Sequence, residues 1–302
     1  MQRPRRTCHA VPGSSERFLA KAPTLDADEV FLDLEDAVAQ SEKATARELV
    51  IKALNESDFG SMTVVVRVNA TDTPHYYRDL IDVVENAGAK LDAIMLPKVR
   101  TPGDVEMTDK LLTQIELAKD LEIGRIGIEA QIEDAKGLLA CEEIATASAR
   151  METLIFGPGD YSAAVGIPIT TIGGVPDGYP GDHLNYLYSR LVVAARAAGI
   201  QAIDGPYGAI KDIDGLRERS RIARALGMDG KWTIHPGQIE IVNEVFSPTA
   251  EEYERAAAML KAYEAAADAG GRGAAMFDGE MIDEANRKMA EKIVQSGAAA
   301  GF

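Results

Sequence analysis

Eight short apolar runs rich in β-branched residues recur along this 302-residue chain, and proline, glycine or charged residues close them. They are Thr7–Val11, Val30–Leu34, Thr63–Val68, Ala93–Leu96, Ile126–Ile132, Thr153–Phe156, Ile200–Ile203 and Trp232–Ile234. Helix-forming stretches lie between them, such as the one rich in Ala, Glu and Leu from about Ser41 to Leu54. Strict alternation of strand and helix implies a parallel sheet, because each crossover returns the chain to the same edge. Eight such units in roughly 250 residues fit a closed (β/α)8 TIM barrel. An open doubly wound sheet is the competing fold, but no GxGxxG follows a strand and no GxxxxGK[ST] occurs. The barrel is predicted over residues 1–247, and a C-terminal helical extension with a lid segment over 248–302.

Composition narrows the partners. Apolar residues make up 46% of the chain, enough for a sizeable core. Asp plus Glu total 48 against 32 for Lys plus Arg, a formal net charge of −16. Such a surface repels nucleic acid and anionic lipid, so neither is an expected partner. No apolar run approaches the ~20 residues of a membrane span. No apolar segment follows the basic stretch ending at Arg6, so no signal peptide is expected. Cys8 and Cys141 lie far apart with no CxxC pair, which fits free, buried thiols in a reducing cytoplasm.

In such a barrel the site forms where the strands end. Here the strand ends carry Pro12-Gly13, Glu35-Asp36, Arg67 with Asn69, Lys98, Glu133, Asp160, Asp204 and His235. Their convergence predicts a polar pocket rich in carboxylates. Crowded carboxylates resist ionisation unless a cation joins them, and hard oxygen ligands select Mg2+, Mn2+ or Ca2+. Zinc and serine-hydrolase chemistry are disfavoured, since there is no HExxH, no Cys cluster and no GxSxG.

Glu133 and Asp160 end consecutive strands and form the expected metal pair; alternatively, Asp160 caps a helix starting at Tyr161. Glu129 shares the in/out parity of Glu133, which is preferred because it lies nearer the strand end. Arg67, inside an apolar strand, needs an acidic partner or a substrate oxygen. Glu35 and Asp36 either hydrogen-bond metal-bound water or bridge to Arg67 or Lys98. Lys98 reads as an ion-pair partner of the acidic rim rather than a Schiff-base lysine. His235 reads as a buried histidine bonded to its neighbours rather than a base.

Beyond Phe246, Pro248 opens a helical stretch, Gly270-Gly271-Arg272-Gly273 interrupts it, and Phe277–Asp283 leads into a last helix. Read by itself, this tail is either a frayed appendage or a glycine-hinged lid.

Several segments match one family in order. They are Val11-Pro12-Gly13-Ser14 with Arg17 and Lys21, Asp33-Leu34-Glu35-Asp36-Ala37-Val38, Val66-Arg67-Val68-Asn69, Leu96-Pro97-Lys98, Ile132-Glu133, Phe156-Gly157 with Asp160, Ile234-His235-Pro236 and Met281-Ile282-Asp283. Through them the chain resembles the citrate lyase β-subunit and malyl-CoA lyase branch of the phosphoenolpyruvate/pyruvate barrel superfamily, the HpcH/HpaI aldolase-like enzymes. Glu129-Ala130-Gln131-Ile132-Glu133 and the insertion Asp177-Gly178-Tyr179-Pro180-Gly181-Asp182 look like the malyl or β-methylmalyl type. Tyr161 departs from the commoner pattern, in which leucine follows the aspartate.

The resemblance implies Mg2+, with Mn2+ as a substitute, on Glu133 and Asp160, and coenzyme A as part of the substrate. It places Arg67 at the thioester oxygen, Glu35 and Asp36 near the metal waters, and Pro12, Arg17 and Lys21 near the coenzyme A. Asp283 would be the catalytic acid on a lid given to a neighbouring subunit of a homotrimer or homohexamer. The implied reaction is reversible cleavage of malyl-CoA or β-methylmalyl-CoA to glyoxylate and acetyl-CoA or propionyl-CoA. A citramalyl-CoA or citryl-CoA lyase, a malyl-CoA thioesterase and a non-catalytic CoA-binding barrel are the alternatives.

Overall fold

The computed structural model describes residues 3–179, 181–270, 273–299 and 301–302; Pro180 of the insertion and Gly271 and Arg272 of the glycine break lie outside the described residues. Contacts divide the chain into two units, the first ending at Asn243 and the second spanning Glu244–Phe302.

The first unit holds a closed barrel of eight parallel strands in sequence order. The strands are β1 Thr7–Pro12, β2 Glu29–Asp33, β3 Thr63–Arg67, β4 Ala93–Leu96, β5 Gly127–Ile132, β6 Met151–Phe156, β7 Gln201–Asp204 and β8 Gly230–Thr233. Between them run α1 Glu16–Lys21, α2 Lys43–Glu56, α3 Tyr76–Ala87, α4 Pro102–Ala118, α5 Ala135–Leu139, α6 Cys141–Ala145, α7 Pro158–Val165, α8 Asn185–Ala198 and α9 Ile213–Ala225, and α10 Ile239–Phe246 follows β8. All eight expected runs are strands, with no end moved by more than two residues. Local chemistry sets several boundaries. Thr101 and Asp104 form a capping box around Pro102 at the start of α4. Gly166 and Gly199, both at φ 75°, close α7 and α8 in the left-handed conformation.

Alternation along the strands builds the barrel interior in layers. The middle layer is apolar and includes Cys8, Phe31, Val65, Met95, Ile155 and Trp232. The Phe31 and Trp232 rings lie 4.4 Å apart at 38°, and burying each contributes about 1.5–3 kcal/mol. Cys8 and Cys141 are both buried and free.

A charged layer closes the N-terminal end. The Arg5 guanidinium donates from Nε to Glu29 at 2.7 Å and from Nη1 to Gln201 at 2.8 Å, and pairs through Nη2 with Glu152. Glu129 lies 2.8 Å from the same Nε. It therefore belongs to the opposite end of the barrel from Glu133, which settles the choice between them. One guanidinium cannot satisfy these carboxylates. Both Glu129 oxygens and Glu29 Oε1 are buried without a hydrogen-bond partner among the described residues. Burial, then the Glu29 charge, push the Glu129 carboxyl well above the usual range, against the pull of Arg5.

Asp204 departs from the expected convergence. It alternates with inward Ile203, is buried on the helix side of the wall, and accepts from Lys231 Nζ at 2.5 Å in register. It is not part of the pocket rim. No helix among the described residues is long and apolar enough to cross a membrane.

In the second unit, α11 Ala250–Gly270 packs against α12 Glu284–Ala299. The helix expected from Pro248 starts at Ala250 because Thr249 and Glu252 cap it reciprocally, at 3.1 and 2.9 Å. The segment that leads into the last helix is part of an antiparallel hairpin of β9 Ala274–Phe277 and β10 Glu280–Asp283. Its turn residues, Asp278 and Gly279, have φ of 50° and 82°, which Asp-Gly accommodates.

The Glu129 carboxyl gives a pH test. Its folded value is raised, so its contribution to stability is complete below the ordinary carboxylate range. As pH rises above that range the unfolded chain ionises first, and stability falls by up to about 1.4 kcal/mol per pH unit. Glu129→Gln removes this titration. Urea midpoints of variant and parent are expected to diverge in the variant's favour as pH rises; parallel profiles would refute the protonated state.

Candidate active site

At the C-terminal end of the barrel the site is built around Arg67. Its guanidinium lies above the apolar layer, 5.2 Å from the Trp232 ring and 5.7 Å from Phe31. Burying this charge demands partners. Nε and Nη2 donate to the Asp33 carboxylate at 2.8 and 2.7 Å, a bidentate fork. Nη1 lies 3.0 Å from Glu35 and 3.5 Å from Gln131. Burial raises the Asp33 carboxyl, but Arg67 and two backbone N–H donors outweigh it and hold the group below its usual range.

Lys98 ties the next strand to this cluster. It follows Pro97 with φ 53°, a left-handed conformation that is uncommon outside glycine. Its ammonium pairs with Glu35 and lies 3.4 Å from Asp36. The ion-pair reading of Lys98 holds, and Glu35 and Asp36 make the bridges named as their structural alternative. Burial raises the Glu35 carboxyl, with Arg67 and Lys98 opposing.

Glu133 sits one residue past β5, buried, and accepts from the Lys98 backbone N–H at 2.8 Å. Burial pushes its carboxyl up to about 8; Arg67 opposes the rise, and Glu35 and Asp160 add to it. Its space depends on Gly157. A Cβ there would lie 2.6–2.9 Å from the Glu133 side chain. Asp160 is exposed in the first turn of α7, which starts at Pro158 with Gly157 as its N-cap. The alternative that Asp160 caps a helix beginning at Tyr161 is thus overturned. No hydrogen bond or ion pair engages its carboxylate among the described residues.

The donor set suits a divalent cation. Asp33, Glu35, Asp36, Glu133 and Asp160 outnumber the cations beside them, Arg67, Lys98 and Lys43, and at Glu133 burial and the neighbouring acids raise the carboxyl. No group of three or more metal-ligating side chains is assembled among the described residues. A pair of carboxylates with water and substrate completing the shell matches Mg2+.

The remaining expected residues of the first unit lie at or just past strand ends, and Asp283 belongs to the second unit. Pro12 is in register with Asp33, and Gly13 follows so closely that a Cβ would stand 2.6 Å from the Asp33 carbonyl. Arg17 and Lys21 are exposed, four apart on α1, and Arg17 stacks on Phe18 at 4.7 Å. Asn69 donates to the Leu34 carbonyl at 3.0 Å and to Asp79. His235 is exposed rather than buried; its Nδ1 accepts from Gly237 at 3.1 Å, so it does bond a neighbour. Asp283 is exposed and caps α12, accepting from Ala285 at 2.8 Å and Asn286 at 3.3 Å. Asp33 was not singled out from sequence as a site residue. Its place at the end of an apolar run was the signal, and its pairing with Arg67 appears only in the β2–β3 register.

The model of the HpcH/HpaI aldolase/citrate lyase family matches residues 6–236. The chain belongs to that family. It is 41% identical to an L-malyl-CoA/beta-methylmalyl-CoA lyase of Cereibacter sphaeroides, with 97% of this chain and 94% of that protein covered. It is 39% identical to a (3S)-malyl-CoA thioesterase of the same species, over 93% and 90%. Among solved structures, a Mycobacterium tuberculosis CitE in complex with magnesium, acetoacetate and coenzyme A is similar, with a TM-score of 0.76 and 29% identity over 97% of both chains.

Glu133 must lose its proton to hold a cation. Apparent Mg2+ affinity, measured by calorimetry, is therefore expected to rise about tenfold per pH unit below about 8 and to level off above it. Gly157→Ala should weaken binding at every pH by displacing Glu133. A flat profile would remove Glu133 from the metal site.

Proposed function

We propose that this protein is a Mg2+-dependent carbon–carbon lyase that reversibly cleaves malyl-CoA or β-methylmalyl-CoA to glyoxylate and acetyl-CoA or propionyl-CoA. The observation that carries this reading is the buried, clamped Arg67 guanidinium at the same barrel end as the buried Glu133 carboxyl. Mg2+ held by Glu133 and Asp160 would supply Lewis acidity and a template for the oxo-acid half. Arg67 would donate from Nη1 to the thioester oxygen as that oxygen gains charge during C–C cleavage. Glu35 and Asp36, fixed by Lys98, would orient water at the metal, and water so held would take the proton of the substrate hydroxyl as the glyoxylate carbonyl forms. Asp283 would protonate the carbon of the resulting acyl-CoA enolate, and take that proton back during condensation. Pro12, Arg17 and Lys21 would lie along the coenzyme A; the two cations offset locally the repulsion between an acidic chain and an anionic substrate.

This reading includes a homotrimer or homohexamer in the cytoplasm, in which Asp283 serves a neighbouring copy. The exposed Met276 and Met281 beside Asp283 on the hairpin support it, because apolar side chains there would favour covering by a second chain. The thioesterase relative keeps hydrolysis as the second reading.

The deciding assay is product release from malyl-CoA with Mg2+ and then with chelator. Mg2+-dependent glyoxylate matched by acetyl-CoA is expected. Free coenzyme A thiol without glyoxylate would transfer the assignment to a thioesterase, and cleavage of citramalyl-CoA alone, with pyruvate, to that lyase. Asp283→Asn should keep Mg2+ and coenzyme A binding while turnover falls about 10²–10⁴-fold; unchanged turnover would remove Asp283 from the mechanism.

A further inference from the structure

The Asp33 carboxylate makes more contacts than an ion pair needs. It is buried at the end of β2 and accepts four hydrogen bonds. Oδ1 takes Arg67 Nε at 2.8 Å and the Glu35 backbone N–H at 2.8 Å. Oδ2 takes Arg67 Nη2 at 2.7 Å and the Ala37 N–H at 3.1 Å. One carboxylate thus grips the guanidinium from β3 and the turn after β2 that carries Glu35 and Asp36. The carbonyls of that turn are held separately: Lys43 Nζ donates to Leu34 and Glu35, both at 2.7 Å, and Asn69 donates to Leu34. With Nε and Nη2 committed to Asp33, Nη1 stands outside the fork, 3.0 Å from Glu35 and 3.5 Å from Gln131.

We infer that Asp33 is a positioning residue that locks Arg67 and the Glu35–Asp36 turn into one unit and so fixes where Arg67 Nη1 stands, the nitrogen to which the proposed function gives the thioester oxygen. Its role in turnover rests on the proposed lyase function; its role in placing Arg67 does not. Asparagine is isosteric, but its Nδ2 cannot accept, so both the fork and the Ala37 N–H lose an acceptor.

Trp232 is the only tryptophan in the chain and lies 5.2 Å from the Arg67 guanidinium. Its emission reports Arg67 without any substrate. Asp33→Asn is expected to change Trp232 emission and acrylamide quenching while far-ultraviolet circular dichroism stays that of the parent. Arg67→Gln should produce the same optical change. In turnover of malyl-CoA, Asp33→Asn should lower kcat about 10²-fold or more, as loss of one charge-stabilising donor does, with KM within a few-fold. Because Asp33 acts through Arg67, the Asp33→Asn/Arg67→Gln double variant should be no slower than Arg67→Gln alone. The double variant is charge-balanced, so it also serves if Asp33→Asn does not fold.

Unchanged emission in a folded Asp33→Asn variant would overturn the placement, and so would a double variant that loses a further tenfold or more. If the parent releases no glyoxylate, the lyase reading fails, while the fluorescence comparison still decides whether Asp33 holds Arg67.

Discussion

A guanidinium buried on aromatic rings inside a closed barrel sets the terms for everything around it. Arg67 cannot shed its charge, and water does not reach it freely, so protein groups must replace its hydration. Asp33 satisfies two nitrogens and stands where β2 and β3 are already in register. That pairing holds the Glu35–Asp36 turn, and Glu35 in turn recruits Lys98 from the end of β4. The Lys98 backbone then reaches Glu133 beyond β5. Consecutive strand ends are thereby linked by alternating charge. The acidic surplus gathers where β5 and β6 end, and there burial, with Glu35 and Asp160, raises the Glu133 carboxyl.

Much of this was legible in the chain. The eight strands are short, strongly β-branched and punctuated, so their existence and order followed from period and turn chemistry, and their parallel pairing from alternation with helices. Arg67 was conspicuous because charge within an apolar strand is costly, and Glu133 because it sits just past a strand on the inward parity. What could not be read was how charges sort between faces and ends. Asp204 falls at a strand end like the others, yet its parity turns it to Lys231 and the helix layer. Glu129 has the inward parity of Glu133 but lies four residues earlier, far enough to join Arg5 at the other end. Asp33 escaped notice because an aspartate beside Glu35-Asp36 looks like one more rim acid until the registers of β2 and β3 are known.

The second unit shows a different limit. Thr249 with Glu252, and Asp278 with Gly279, are local signals that fix a helix start and a hairpin turn. Asp283 closes that hairpin and opens α12 as its cap while its side chain stays exposed.

The charged layer around Arg5 has a consequence for traffic. Arg5, Glu29 and Glu129 are buried, and the apolar layer above them is closed, so the barrel opens at one end alone. Molecules that reach Arg67 must arrive and depart through the same mouth. Whatever is held beside Arg67 comes and goes on the side of the strand ends. A closed base thus confines traffic to one face, a constraint that no residue at the reacting centre needs to encode.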